Sequence, residues 1–156
     1  MKRLILIVLA IVTFCSGCIK EETTMLEAWV YNQIDYPITI LFYNNGVVAN
    51  KDTVHIAPKD SFKMGSEADL GERTTPGFYS DYNCDSAIVI FDNKYQVVHY
   101  VNDTVDLADK HYLFESTRNL GNPLSYEFSR IKSKKGYYTN MHKYTFTEAD
   151  YEFAKD

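Results

Sequence analysis

The side chains of this sequence that could perform chemistry are scattered, and they form no catalytic motif. The sequence contains no G-x-S-x-G nucleophile motif, no phosphate-binding P-loop and no dinucleotide-binding glycine motif. None of the four histidines has a neighbouring His or Cys at metal-ligand spacing, so we expect hydrogen-bonded core or boundary residues at His55, His99, His111 and His142. We therefore expect a protein that is not an enzyme and that uses no cofactor and no metal.

Acidic residues give two further candidates for chemistry, and neither is specific. Asp103, Asp106 and Asp109 are spaced by three, but they lack the alternating pattern and the glycine of a calcium loop, so we interpret them as a solvated acidic loop. Glycoside hydrolysis needs two carboxylates across a cleft. Because the chain has 21 Asp and Glu residues, a pair can always be drawn, and a small envelope hydrolase stays an alternative.

Aromatic residues are abundant and offer a binding chemistry instead. The chain has 13 Tyr, 9 Phe and 1 Trp, and such rings favour strands. On a strand face or a loop they can stack on sugar rings or anchor a partner protein. Most aromatic side chains of a small β domain belong to its core, but we select five as candidate ligand contacts: Phe78, Tyr79 and Tyr82 in a long polar loop, and Tyr137 and Tyr138 further on.

The N-terminus has the pattern of a secretory signal peptide. Lys2 and Arg3 precede the apolar run Leu4–Phe14, which has 11 residues. A transmembrane helix needs about 20 residues, so this run is too short to span a bilayer. A charged start, a short apolar segment and small residues after it are typical of a signal for export.

The residues that follow, Cys15-Ser16-Gly17-Cys18, resemble the lipobox of bacterial lipoproteins. In that family small residues precede a cysteine that becomes acylated, and Ser16 and Gly17 match them, whereas Cys15 stands where the family usually has Leu. The resemblance implies cleavage before Cys18 and two or three acyl chains on it, enough for stable anchoring. An ordinary secreted protein with a cysteine near its cleavage site is the alternative.

The next residues, Lys20-Glu21-Glu22, allow two interpretations. They are similar to the export signal of Bacteroidetes-type lipoproteins that reach the outer face of the outer membrane, where a Lys and two acids follow the lipidated Cys. Read without that resemblance, they form a short solvated tether. The resemblance implies a lipoprotein of the cell outer membrane that faces the exterior, held in the membrane by its N-terminal lipid.

Removal of the signal changes the charge and the cysteine count. We expect a signal peptide over residues 1–17, a lipidated tether over 18–25 and a single domain over 26–156. The mature chain has fourteen Lys and Arg against twenty-one Asp and Glu, so its net charge of −7 makes nucleic acid a poor partner. Cys84 is then the only cysteine without a lipid, so no disulfide can form within one chain, and we expect it to be a structural residue without chemistry.

The mature sequence predicts an all-β fold. Short apolar or alternating runs separated by turn residues are candidate strands, and we expect about eight or nine of them to form. These ten runs are 26–34, 38–43, 47–49, 52–56, 61–64, 86–91, 95–101, 111–115, 125–131 and 137–146. Residues 65–85 are polar and we expect a long loop there. Thr147–Asp150 fits a capping box that starts a short C-terminal helical turn. This pattern predicts an antiparallel β-sandwich, with a small barrel as the alternative.

These observations lead to one functional expectation and two alternatives. The segments Thr53-Val54-His55-Ile56-Ala57-Pro58 and Thr147–Tyr151 resemble those of the small all-β lipoproteins of unknown activity in the same group. We expect a lipid-anchored envelope protein that binds a glycan or an envelope protein without catalysis. A small envelope hydrolase and a structural subunit of an outer-membrane complex are the alternatives.

Overall fold

A computed structural model describes residues 23–49, 53–69, 82–101 and 107–156. These residues form ten strands, one helix and one turn of 3-10 helix at Pro123–Ser125. In chain order they are β1 (Thr23–Asn32), β2 (Ile38–Asn44), β3 (Val47–Val48), β4 (Val54–Ile56), β5 (Ser61–Asp69), β6 (Ser86–Phe91), β7 (Tyr95–Tyr100), β8 (His111–Tyr112), β9 (Glu127–Lys134), β10 (Tyr137–Phe146) and α1 (Glu148–Lys155).

The strands form two sheets, which confirms the prediction of a β-sandwich. Sheet A has the order β5-β1-β10-β9, and sheet B has the order β3-β2-β6-β7-β8 with β4 also paired to β2. Neither sheet closes into a barrel among the described residues. Both sheets are mixed rather than purely antiparallel, because β1 pairs with β10 in parallel over ten residues and β7 pairs with β8 in parallel over two.

The core lies between the sheets and follows from the period of two along each strand. Every second residue of β1 is buried, from Thr24 to Asn32, and the others face away from sheet B. The largest fully buried apolar side chains come from both sheets: Ile38, Ile40, Phe42, Phe91, Tyr144 and Phe146. Burial of these side chains between the sheets determines which face of each strand points away from the core.

The C-terminal helix closes one end of the sandwich. Thr147 and Asp150 form the predicted capping box, and the short helix expected after it extends over eight residues. The Tyr151 ring stacks on Tyr36 with centroids 4.6 Å apart and meets Phe91 edge-on at 6.3 Å. This end of the molecule also carries the turn between β6 and β7.

Several strand boundaries differ from the sequence prediction, and two of these differences change the expected tether and the expected long loop. The first strand begins at Thr23, so the expected tether of 18–25 loses its last three residues to β1. Residues 65–69, expected to belong to a long loop, continue β5 because they pair with β1 from Thr24 to Ala28. The bulge in this pairing, between Ala28 and Trp29, inserts an extra residue on the β5 side.

Candidate functional site

The outward face of sheet A carries two aromatic rings side by side. Trp29 and Tyr31 occupy alternate positions on β1, a central strand of that sheet, and both side chains are partly exposed. Their ring centroids are 6.4 Å apart, and the ring planes are inclined by 39°. We call Trp29, Tyr31 and the three charged residues that flank them (Glu27, Lys63 and Lys143) the aromatic platform.

A carboxylate fixes one half of the platform. The indole Nε1 of Trp29 donates a hydrogen bond of 2.9 Å to Glu27 Oε2, and Lys63 Nζ donates one of 2.6 Å to Glu27 Oε1. The hydrogen bond from Lys63 lowers the pKa of Glu27 below its ordinary value, partial burial opposes this, and the bond from Trp29 assists it. Glu27 is therefore ionised at neutral pH and holds the indole in one orientation.

Two lysines cover parts of the rings. Lys63 Nζ lies 5.3 Å from the centroid of the Trp29 ring, and Lys143 Nζ lies 4.9 Å from that of Tyr31. Lys143 also forms an ion pair of 3.6 Å with Glu127. Cation–π contacts at exposed sites contribute only about 0.5–1 kcal/mol, so a ligand ring can displace the flexible lysine chains at little cost. The platform thus offers ring faces together with hydrogen-bond donors and acceptors.

The two predicted contact residues in the β9–β10 hairpin lie on a cationic surface. Tyr137 is 44% exposed, and Lys134 Nζ lies 4.1 Å from its ring centroid. The Arg130 guanidinium lies 4.2 Å from the centroid of Tyr138, and Lys132 Nζ lies 6.0 Å from it. Cationic side chains therefore lie over both tyrosine rings, an arrangement that the sequence prediction had not considered.

The other predicted site residues divide into one that is described and six that are not. Tyr82 packs into the domain: its ring stacks on Phe42 at 4.2 Å, and its hydroxyl donates a hydrogen bond of 2.7 Å to the Met64 carbonyl. Tyr82 is thus partly buried against the core of the domain. The remaining candidates lie outside the described residues: Cys18, Lys20, Glu21, Glu22, Phe78 and Tyr79.

A second polar cluster joins the loop before β9 to the start of α1. Arg118 Nε donates a 2.9 Å hydrogen bond to Asp150 Oδ1, and a second guanidinium nitrogen bonds Asp150 Oδ2. Asp150 Oδ2 also accepts from the amide and hydroxyl of Thr147, at 2.8 and 3.0 Å. The Tyr144 hydroxyl donates to the Arg118 carbonyl at 2.7 Å. Because these groups satisfy one another, we interpret the cluster as a structural latch.

The histidines and the cysteine fit structural roles in the described part of the chain. His99 is buried, and its Nδ1 accepts a 2.8 Å hydrogen bond from the Leu120 amide, as predicted for a core histidine. Burial lowers its pKa to about 3, and the charge of Arg118 acts in the same direction. His142 and Cys84 are also buried. No group of three or more His, Cys, Asp or Glu side chains that could hold a metal occurs among the described residues.

The platform residues were missed at the level of sequence. Trp29 and Tyr31 stand in a run where both alternating positions are apolar or aromatic, so the pattern does not show which face is buried. The one available signal is the charged Glu27 in the same alternating register.

None of the helices among the described residues has the length and apolar content needed to traverse a bilayer. Comparison with protein-family models, with curated proteins and with solved structures found no match to this chain.

Proposed function

We propose that this chain is a lipid-anchored protein of the cell outer membrane whose β-sandwich binds an envelope glycan without catalysis. The N-terminal lipobox-like sequence supports the anchor at Cys18, and Lys20-Glu21-Glu22 supports display on the exterior. The observation that carries the binding role is the aromatic platform: two partly exposed rings, 6.4 Å apart, on the outward face of a central strand.

The surroundings of the rings favour a sugar over an apolar ligand. A pyranose has apolar C–H faces that pack on aromatic rings and hydroxyls at its rim that need hydrogen-bond partners. Glu27 supplies acceptors and Lys63 and Lys143 supply donors within the same patch. Their exposure matters, because Lys63 is 37% and Glu27 20% exposed, so both can exchange water for sugar hydroxyls.

The affinity of such a site is expected to be modest. Two partly buried rings provide a small apolar contact, and the hydrogen bonds replace existing bonds to water. We expect dissociation constants of about 0.1–1 mM for short oligosaccharides, equivalent to roughly 4–5.5 kcal/mol of binding free energy. Display of many copies on a membrane raises the avidity for a polymer.

The single tryptophan allows a direct test of binding. Trp29 is the only tryptophan of the chain, so its fluorescence reports on the platform alone. The full chain, purified in detergent, is titrated with a panel of cell-wall and capsular polysaccharides. We expect a saturable change in emission with at least one glycan, and loss of this response in Tyr31→Ala. Tyr43→Ala, which removes an outward tyrosine from sheet B, is the matched control and retains it.

Other outcomes of this titration favour the alternatives. Release of new reducing ends during incubation supports a hydrolase and contradicts the binding role. Absence of any glycan response, together with one stoichiometric protein captured from envelope extracts by the wild type and by Tyr31→Ala alike, supports a structural subunit. Either result would overturn the proposed use of the platform.

The anchor requires a separate experiment. Growing cells are labelled with palmitate, and the wild type is compared with Cys18→Ser after fractionation. We expect label in the outer membrane for the wild type only, and degradation of the domain when intact cells are treated with protease. An unlabelled wild type in the soluble fraction contradicts the anchor, whereas a labelled protein that resists protease contradicts exposure on the exterior.

A further inference from the structure

The turn of the β9–β10 hairpin lies at the end of the domain where the described chain begins. β1 and β10 run in parallel, with Thr23 opposite Tyr137. The Thr23 amide donates a hydrogen bond of 2.9 Å to the carbonyl of Gly136, within the hairpin turn. The first described residue is therefore fixed directly to that turn.

Chain length keeps this turn close to the proposed anchor. Only residues 19–22 separate Cys18 from Thr23. Five steps of at most 3.8 Å between Cα atoms give a reach of no more than about 19 Å. If Cys18 carries the lipid, the hairpin turn cannot be further than this from the membrane interface, whatever path the tether takes.

The hairpin has the composition of a membrane-contacting surface, in contrast to the rest of the chain. Residues 127–146 contain five Lys and Arg against one acid, Glu127, which lies at the end of β9 away from the turn, although the whole chain has a net charge of −5. Lys132, Lys134 and Lys135 are exposed, and the Tyr137 ring is 44% exposed beside them. Lysines with apolar stems and tyrosines with a polar tip are favoured where headgroups meet water.

Among the described residues, the acids at the same end of sheet A are placed away from the hairpin. Glu67 and Asp69 lie on β5, which is separated from β10 by β1 and from β9 by two strands. At about 4.8 Å for each strand spacing, β5 lies roughly 10 Å from β10 and 14 Å from β9. Within the described part of the chain, the charge at this end of sheet A is thus asymmetric, and the β9–β10 corner is the one that an anionic surface attracts.

We propose that the turn of this hairpin, with Lys132, Lys134, Lys135 and Tyr137, docks on the anionic headgroups of the membrane that holds the anchor. This inference rests on the proposed lipid anchor at Cys18. Docking orients the domain with its sheet A strands along the membrane normal. Trp29 lies six residues along β1 from Thr23, so the aromatic platform then stands about 20 Å above the headgroups and faces sideways.

A second copy of the chain is a poorer occupant of the same surface. Pairing two β9 edges would place Arg130, Lys132 and Lys134 of one copy beside like charges of the other, which is unfavourable. An anionic lipid surface instead complements all of these cations at once. A contribution of about 1 kcal/mol for each lysine, or roughly fivefold in partitioning, is typical near a charged bilayer.

The test uses a fluorescent probe in the turn. The lipidated chain with Ser133→Cys is labelled with an environment-sensitive dye and incorporated into vesicles of phosphatidylcholine with or without about 30 mol% phosphatidylglycerol and with headgroup-quencher lipids. Ser133 is exposed and is not one of the proposed contacts, and Cys84 is buried. We expect at least about twofold stronger quenching in the anionic vesicles than in the neutral ones. This difference should disappear in 0.5 M salt, because a Debye length of roughly 3–4 Å screens the attraction between lysines and headgroups.

Charge variants of equal magnitude provide the control. Lys132→Glu, Lys134→Glu and Lys135→Glu together are expected to lower quenching to the level in phosphatidylcholine alone. Lys59→Glu, Lys94→Glu and Lys155→Glu together, which alter exposed lysines at the opposite end, are expected to leave it unchanged. Equal loss in both triple variants would show a response to net charge only and would overturn the proposal.

Failure of this inference can be separated from failure of the anchor. If the protein does not float with either kind of vesicle, the lipid anchor is wrong and the inference falls with it. If it floats with both while quenching at residue 133 is weak and independent of phosphatidylglycerol, the anchor stands and docking of the hairpin is wrong.

Discussion

Glu27 has one carboxylate that binds two other residues of the platform, and this makes its charge testable. Replacement by Gln keeps an acceptor for the Trp29 indole but removes the ion pair with Lys63. Because Lys63 is more than a third exposed, we expect a loss of about 0.2–1 kcal/mol in the free energy of unfolding at neutral pH. Urea unfolding followed by Trp29 fluorescence measures it.

The same variant has a defined pH dependence. A carboxyl group with a lowered pKa stabilises the folded state above its unfolded pKa, and this contribution disappears as pH falls through the folded value. We therefore expect wild type and Glu27→Gln to differ at pH 7 and to converge below the ordinary carboxyl range. A difference that persists unchanged into strong acid would contradict the assigned charge.

His99 also makes the free energy of unfolding fall as the pH drops, because the folded state keeps its imidazole neutral. Its pKa of about 3 compares with an ordinary 6.5, so between these values the unfolded chain binds a proton that the folded chain does not. Stability should fall by up to about 1.4 kcal/mol per pH unit as pH drops below 6.5.

The variant His99→Gln isolates this effect. Its side-chain carbonyl can still accept from the Leu120 amide, but it cannot titrate. We expect the variant to be less stable than the wild type at pH 7 by about 1–3 kcal/mol. Between pH 7 and pH 5 we expect the free energy of unfolding to fall less in the variant than in the wild type. Chemical denaturation at both pH values measures the two slopes, and parallel slopes would show that His99 does not carry the acid sensitivity.

Among the elements, α1 depends on the latch at its first turn. Asp150 is 3% exposed at its side chain and joins the capping box to Arg118, which is bonded to the Thr145 carbonyl at 3.0 Å. Asp150→Ala removes both functions and leaves Arg118 without its carboxylate, so we expect a loss of about 2–4 kcal/mol in unfolding free energy. Glu148→Ala, an exposed acid of the same turn, is the control and should cost less than about 1 kcal/mol. Equal losses would contradict the latch.

Local signals explain which elements could be predicted from the sequence. The Asn45-Gly46 turn has positive φ angles of 51° and 76°, as the dipeptide predicts, and the β6–β7 hairpin and the capping box also formed as expected. Each depends on residues close together in the chain. The extension of β5 through residues 65–69 was missed because its polar sequence becomes a strand only by pairing with β1.

Pairing between strands that are distant in sequence also brings together the residues of the candidate site. β1 and β10 are the first and last strands of the described chain, and their parallel contact brings Lys143 to Tyr31 and Thr23 to the hairpin turn. No local pattern contains that information. Tyr137 and Tyr138 were selected from sequence as aromatic residues that could contact a ligand, whereas the platform needed knowledge of which face of sheet A lies outside.

The cations of β9 also protect an exposed sheet edge. All eight residues of β9 are exposed, including Phe128 and Ile131, and within the described ranges β9 pairs with β10 alone. Edge lysines are a common defence against edge-to-edge association. We expect Lys132→Ser with Lys134→Ser to self-associate in sedimentation velocity where the wild type stays monodisperse in the same detergent. Lys94→Ser with Lys155→Ser is the matched control, and equal behaviour of both pairs would contradict this role.

At the scale of the whole molecule, the charge of the β9–β10 hairpin and its position beside the tether both favour docking of the hairpin on the membrane. The hairpin concentrates five positive charges in a chain with a net charge of −5, and the Thr23–Gly136 bond places it beside the tether. A short tether raises the effective concentration of the hairpin at the membrane surface, so weak headgroup contacts can orient the domain without strong intrinsic affinity.

Because a short tether favours docking, we expect the docked fraction of the domain to depend on tether length. Insertion of twelve Gly and Ser residues after Glu22 lengthens the span from Cys18 to Thr23 from five steps to seventeen. Because effective concentration falls roughly as the −3/2 power of length, the ratio of docked to undocked domain should fall about sixfold. Quenching of the residue 133 probe in anionic vesicles measures this ratio, with flotation confirming that anchoring itself is unchanged. A response independent of tether length would show that the hairpin binds lipid on its own strength and that its position beside the anchor contributes nothing.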